Sequence, residues 1–232
     1  MTILCREDAY LKSCKAVVTL HIEGGFMTDK TPFYPQGGGQ LGDCGSVRWP
    51  GGEACITNAV KGECEESVLH LTEGALPPIG CEVTLEIDWL RRYSMMRLHS
   101  CMHLLCAVVG AGVTGGQISP EKGRLDFDLE QSPDKEALTL QLNQLIEADH
   151  PITVGSITAS ALDAQPELVK TMSVQPPRSA SGVVRTVRIG EVDYQPCGGT
   201  HVRSTAEIGP VRVSKIEKKG KRNRRISVVF AG

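Results

Sequence analysis

Over the first third of the chain, apolar and polar residues alternate in short runs. Ala16 to Ile22, Val68 to Leu71 and Glu82 to Ile87 have this pattern or are rich in β-branched residues, and Gly24-Gly25, Pro50-Gly51-Gly52 and Pro77-Pro78 bound them. A period of two closed off by turn formers predicts short strands, and their succession predicts a small β-barrel-like domain over residues 1–87. At Asp88 the period changes. Met95, Leu98, Met102, Leu105 and Val109 recur at steps of three and four, the apolar stripe of an amphipathic helix running from Asp88 to about Val109. A glycine-rich loop, a strand around Arg124 to Leu129 and a second helix are expected next. Ser132-Pro133 supplies a cap and a first-turn proline for that helix, whose apolar face is Leu138, Leu142, Leu145 and Ile146. Strands are then expected at Ile152 to Ala159, Val183 to Ile189, Val211 to Lys215 and Ile226 to Phe230. Residues 88–232 therefore read as an α+β domain with a sheet covered by helices on one face.

Composition narrows the class. With 232 residues, 41% of them hydrophobic, the chain can bury a core without disulfide staples. Its nine cysteines are odd in number, scattered and free of any Cys-x-x-Cys spacing, which fits free thiols in a reducing compartment. Arg6, Glu7 and Asp8 stand where a signal peptide would be apolar, and the apolar stretch from Leu104 to Val113 is too short to span a bilayer. A soluble, cytoplasmic protein is the expectation. The net charge of −2 conceals a basic cluster of Lys215, Lys218, Lys219, Lys221, Arg222, Arg224 and Arg225. Such a cluster is either a footprint for a polyphosphate backbone or a solvated turn between two strands, for which Gly220 and Asn223 are suited.

Two short-range pairs carry the chemistry. His99 and His103, four apart on the predicted helix, can aim two imidazoles at one point. Cys197 and His201 flank Gly-Gly-Thr, where the glycines would let the backbone fold tightly enough for thiolate and imidazole to converge. Together they form a nitrogen and sulfur set suited to zinc. Position 100 is Ser, whereas a helical metalloprotease motif carries Glu there as its general base, so a zinc peptidase is disfavoured. The run from Thr31 to Asp43 contains Gly-x-Gly-x-x-Gly but follows a proline and opens no helix, which excludes a dinucleotide fold. Its three successive glycines permit close approach of a ligand or a nucleic-acid end near Thr31 and Gln40, or else form a tight barrel turn.

The runs Phe33-Tyr34-Pro35-x-Gly-Gly-Gly-Gln40-x-x-Asp43, Asp88-Trp89-x-x-Arg92 before the two histidines, and Cys197-Gly-Gly-Thr-His201 occur in the order found in alanyl-tRNA editing proteins. The chain resembles a freestanding member of the AlaX family of medium length, similar to the editing domain of alanyl-tRNA synthetase, from about residue 15 to the last strand. The resemblance implies hydrolysis of the ester on mischarged tRNA(Ala), chiefly Ser-tRNA(Ala) and secondarily Gly-tRNA(Ala). It implies zinc held by His99, His103, Cys197 and His201, with Gln117 and the ligand Cys197 as the catalytic candidates. Thr31, Gly38, Gly39 and Gln40 are the candidates for substrate binding, and Lys219, Lys221, Arg222 and Arg224 for tRNA binding.

An aminoacyl ester is already activated, so such a site needs a placed water, stabilisation of the developing oxyanion and an oriented ribose end. Four protein ligands normally close a tetrahedral site, so either one ligand, His201 foremost, gives way or the metal only shapes the pocket. Sparing alanine while removing serine calls for a hydrogen bond to the serine hydroxyl, for which Thr31 and Gln117 are the candidates. The alternative is a non-catalytic zinc-stabilised tRNA-binding module. Nothing resembles a Walker loop, so no nucleoside triphosphate is expected as a partner.

Overall fold

The structure is a computed structural model that describes residues 1–63, 66–172 and 182–232. The chain divides into two compact units, Met1–Ser94 and Met95–Gly232.

In the first unit the strands are β1 (Thr2–Ile3), β2 (Ser13–Ile22), β3 (Gly25–Thr28), β4 (Lys30–Thr31), β5 (Gly45–Trp49), β6 (Gly52–Lys61), β7 (Val68–Thr72) and β8 (Glu82–Ile87). Six of them close into a barrel in the order β2-β3-β7-β6-β5-β8, every pair antiparallel, while β1 and β4 form a separate parallel pair. Alternation puts Val83, Leu85 and Ile87 of β8 inside, with Ala16, Val18, Phe26, Val47, Ile56 and Val68 from the other strands. The sequence pattern missed β3, β5 and β6. Pro50-Gly51-Gly52, read as a boundary, is the tight hairpin joining β5 to β6, and Gly24-Gly25 turns β2 into β3.

The glycine motif is a hairpin on this barrel. Gly37 and Gln40 exchange both backbone hydrogen bonds at 3.0 Å, and Gly38 and Gly39 between them have φ of 57° and 83°. Left-handed φ at both central positions is the two-residue turn that glycine favours. At its base the Tyr34 amide donates to Asp43 Oδ2 at 2.6 Å, and the Tyr34 hydroxyl donates to the Gly37 carbonyl at 2.9 Å.

His70 sits inside the barrel, stacked on Phe26 at 5.1 Å with Phe33 edge-on at 5.2 Å. Burial pushes its pKa down to about 4. Between that value and the 6.5 of a free imidazole, the unfolded chain binds a proton that the native chain refuses. Stability is therefore complete above pH 6.5 and is lost as pH falls towards 4, by about 3 kcal/mol. Urea denaturation at pH 7 and pH 4.5 checks this, with His70→Gln expected to show a shallower pH dependence.

Helix α1 (Trp89–Val109) begins in the first unit and continues into the second. Asp88 caps it, accepting from the Arg91 amide at 3.1 Å. Trp89 stacks on Tyr93 at 5.4 Å, and Arg92 is buried in an ion pair with Asp43. Farther along, Met95, Met96, Leu98, Cys101, Met102, Leu104 and Leu105 are all buried. The helix is enclosed on most of its circumference rather than along the single stripe that the sequence suggested.

The second unit continues with β9 (Val113–Ile118), β10 (Gly123–Asp128), α2 (Lys135–Glu147), β11 (Ile152–Thr158), α3 (Ala159–Asp163), β12 (Val183–Ile189), β13 (Asp193–Pro196), β14 (Val211–Gly220) and β15 (Asn223–Phe230). They form two sheets, β14-β15-β10-β9 and β11-β12-β13, where one was expected. The glycine-rich segment read as a loop is strand β9, because Gly115 and Gly116 pair with β10 despite lacking side chains to signal a period. Asp134, not Ser132, caps α2, accepting from the Ala137 amide at 2.7 Å. Helix α2 buries Leu138, Leu142 and Ile146 and covers the open edge of β14: Asn143 exchanges two hydrogen bonds with Val211, and Thr139 accepts from Val213.

Candidate metal centre

Helix α1 presents His99 and His103 one turn apart, and the segment after β13 brings Cys197 and His201 to them. The four ligand atoms lie within 4.8 Å of one another. Cys197 Sγ is 3.2 Å from His201 Nε2 and 3.5 Å from His99 Nε2, and the rings of His99 and His201 are 4.3 Å apart. A tetrahedral zinc with one sulfur and three nitrogen ligands sets donors roughly 3.3–3.8 Å apart, so the set needs only a small contraction to fit. The three histidines are buried and the cysteine is half-buried.

The donors shift one another's titration. Burial opposes the thiolate of Cys197, but the three imidazoles outweigh it and hold the thiol well below its usual value. Burial also opposes charge on His103, yet the Cys197 thiolate and hydrogen bonds to Asp193 and Cys197 push it up to about 9. Burial and the neighbouring His99 keep His201 neutral. Metal binding at such a set requires the thiolate and imidazoles with a free ring nitrogen, so it is coupled to proton release.

The segment between the second ligand pair needs no strained backbone. Neither Gly198 nor Gly199 takes a left-handed conformation. The turn is held instead by Arg185, which donates to the carbonyls of Cys197 at 2.7 Å and Gly199 at 2.9 Å, while the Gly199 amide donates to the Cys197 sulfur at 3.4 Å. Arg185 lies in a strand twelve residues upstream, and no local signal marked it. The same holds for Asp193, which bonds His103 at 2.9 Å. Ser100, singled out above only because it is not Glu, has its hydroxyl 3.1 Å from His201 Nδ1.

The other candidates stand elsewhere. Gln117 is exposed on β9, its Oε1 accepting from Arg124 Nε at 3.2 Å. Thr31 belongs to the barrel unit and is fully buried. His70 Nδ1 faces the Phe26 carbonyl, so His70 Nε2 accepts the Thr31 hydroxyl proton at 2.8 Å, and the same hydroxyl accepts from the Phe33 amide at 3.1 Å. Gly38 and Gly39 are the exposed tip of their hairpin and Gln40 is buried beneath it.

The basic cluster is the β14–β15 hairpin, with Lys221 and Arg222 at its turn. Much of its charge is answered locally: Arg225 pairs with Asp126 at 2.7 Å, Arg222 with Asp128 at 3.0 Å, and Lys215 and Lys219 both with Glu217 at 3.1 Å. Arg224 is buried, its guanidinium bonded to the carbonyls of Gly220, Asn223 and Glu130. Lys218 and Lys221 are exposed, with no acidic partner among the described residues.

Residues 184–227, which include half of the cluster and the basic hairpin, match the family model described as the threonyl and alanyl tRNA synthetase second additional domain. That match covers this segment alone. The chain is also 34% identical over 226 residues to the alanyl-tRNA editing protein AlaX-M of Saccharolobus solfataricus, covering 95% of this chain and 94% of the relative. A second AlaX-M, from Methanosarcina acetivorans, is 32% identical, with 94% of each chain covered. The chain belongs to the AlaX-M family of alanyl-tRNA editing proteins. It also matches the alanine–tRNA ligase of Pyrobaculum neutrophilum at 35% identity over 91% of its own length, spanning a quarter of that enzyme.

Proposed function

We propose that this chain is a trans-editing hydrolase that deacylates mischarged tRNA(Ala), chiefly Ser-tRNA(Ala), at a zinc site formed by His99, His103, Cys197 and His201. The observation that carries the reading is the convergence of these four donors in a chain that matches AlaX-M proteins over nearly its whole length. The donor set of three imidazoles and one thiolate suits zinc. Bound there, zinc would supply Lewis acidity to the ester carbonyl or to a water.

The protein's own groups divide the remaining work. Cys197 and the three histidines fix the reacting end, and Gln117 offers an exposed amide to the substrate from β9. Thr31 selects serine if its hydroxyl trades His70 for the hydroxyl of the substrate. Gly38 and Gly39 offer exposed backbone at the hairpin tip, backed by the buried Gln40. Lys218, Lys219, Lys221 and Arg222 meet the tRNA backbone through charge and shape, and Arg224 contributes by holding the hairpin that presents them. Among the described residues no helix is long and apolar enough to cross a membrane. A cytoplasmic setting fits free thiols at the described cysteines Cys5, Cys14, Cys44, Cys55, Cys81, Cys101, Cys106 and Cys197.

Charge reversal of Lys218, Lys221 and Arg222 is expected to weaken tRNA binding on the order of tenfold or more at low salt and to reduce the salt dependence of affinity. Unchanged affinity and salt slope would mean a solvated turn. Zinc removal by a chelator separates the hydrolase from a non-catalytic module. The hydrolase reading expects a folded metal-free protein that still binds tRNA but no longer deacylates it. Joint loss of folding and binding would favour the module.

A further inference from the structure

Two polar side chains touch ligands of the cluster from outside it. Asp193 opens β13, where it pairs with Ile189 of β12, and Gln195 pairs with Val187. Residues two apart on a strand share a face, so the sheet register sets both side chains on one side. Asp193 Oδ2 accepts from His103 Nδ1 at 2.9 Å and from Gln195 Nε2 at 2.8 Å, with both residues buried to 7% exposure. At the other ligand pair, Ser100 Oγ lies 3.1 Å from His201 Nδ1 and accepts from the Val202 amide at 3.3 Å.

An imidazole whose Nδ1 donates a proton to an outside acceptor keeps a lone pair on Nε2, and its ring is fixed in plane. A carboxylate is a stronger acceptor than a hydroxyl, and it raises the donor strength of the ring it holds. The two grips are therefore unequal, although both were invisible as a motif.

We propose that Asp193, braced by Gln195, is a positioning residue that fixes His103 as an anchoring ligand of the cluster, while Ser100 holds His201 more weakly. The proposal rests on the reading that the cluster binds zinc. Of the two histidines gripped from outside, the one held by a hydroxyl would bind a metal less firmly than the one held by a carboxylate.

The test is zinc affinity by chelator competition, together with the visible spectrum of the cobalt(II)-loaded protein, which reports coordination geometry. Asp193→Asn is expected to weaken zinc binding roughly 10–100-fold and to alter the cobalt spectrum. The thermal midpoint of the metal-free protein is measured alongside, so that weakened zinc binding in a folded variant is separated from a loss of folding. Ser100→Ala is expected to cost less than about tenfold. Gln195→Ala, which leaves the carboxylate in place but unbraced, is expected to fall between them and carries the test if Asp193→Asn does not fold. Wild-type affinity in Asp193→Asn, or in Gln195→Ala where that carries the test, would overturn the proposal. So would a loss no larger than that of Ser100→Ala. A wild-type chain that takes up no zinc would instead overturn the metal reading beneath it, which keeps the two failures distinct.

Discussion

Cys197→Ala is expected to cost more zinc affinity than any other single change at the cluster and to abolish deacylation. Cys197 Sγ lies within 3.5 Å of both His99 Nε2 and His201 Nε2, and its thiolate is the only anion among the four donors. Removing it leaves three imidazoles, of which His103 has lost the negative neighbour that chiefly offset its burial. The loss should exceed the roughly 10–100-fold cost of deleting an outer partner. Deacylation should fall by several kcal/mol of transition-state stabilisation, on the order of 10²–10³ or more in rate. Equilibrium dialysis against zinc and single-turnover deacylation check the two halves, and circular dichroism checks that the variant is folded. A folded, zinc-free variant with wild-type rates would mean that the cluster has no part in the chemistry.

Arg92→Leu is expected to destabilise the first unit by about 3–5 kcal/mol. Arg92 and Asp43 have side-chain exposures of 0% and 1%, and their ion pair is reinforced by bonds from Arg92 to the carbonyls of Ala9 and Pro32. Among the described residues, the leucine would leave a buried carboxylate answered by the Tyr34 amide alone. Pairing it with Asp43→Asn should recover part of the loss, because the unpaired charge dominates the cost. Denaturant titration of the two variants measures both numbers. A loss under about 1 kcal/mol in Arg92→Leu would show that water reaches the pair, as at exposed ion pairs.

This ion pair also explains what the sequence did and did not disclose. Asp43 and Arg92 stand in two of the runs that carried the family resemblance, and the first of these runs, from Thr31 to Asp43, was weighed as a ligand contact against a tight barrel turn. The structure gives their most buried members a different task. Asp88 caps α1, Trp89 stacks on Tyr93, and Asp43 ties the base of the glycine hairpin to the helix through Arg92. Specific spacing signals a constraint, and a buried network is a constraint as stringent as a catalytic one.

Legibility followed the physics of each element. Strand β8 and strand β12 could be read to their ends because alternation or β-branched runs are bounded by turn formers. Strand β9 could not, because Gly115 and Gly116 leave no side chains on which a period can be seen. His99 and His103 were legible because a helix makes residues four apart neighbours. Asp193, Ser100 and Arg185 were not, because they reach the cluster only through tertiary contacts. Thr31 was legible as a polar residue in a motif, but its bond to His70 depends on the closure of the barrel.

The most direct test of the central claim is deacylation of seryl- and alanyl-tRNA(Ala) by the zinc-loaded protein, read as the ratio of the two rates. The account predicts rapid loss of serine with alanine spared, and a ratio that falls in Thr31→Val. Equal hydrolysis of both, or none of either with tRNA still bound, would contradict it.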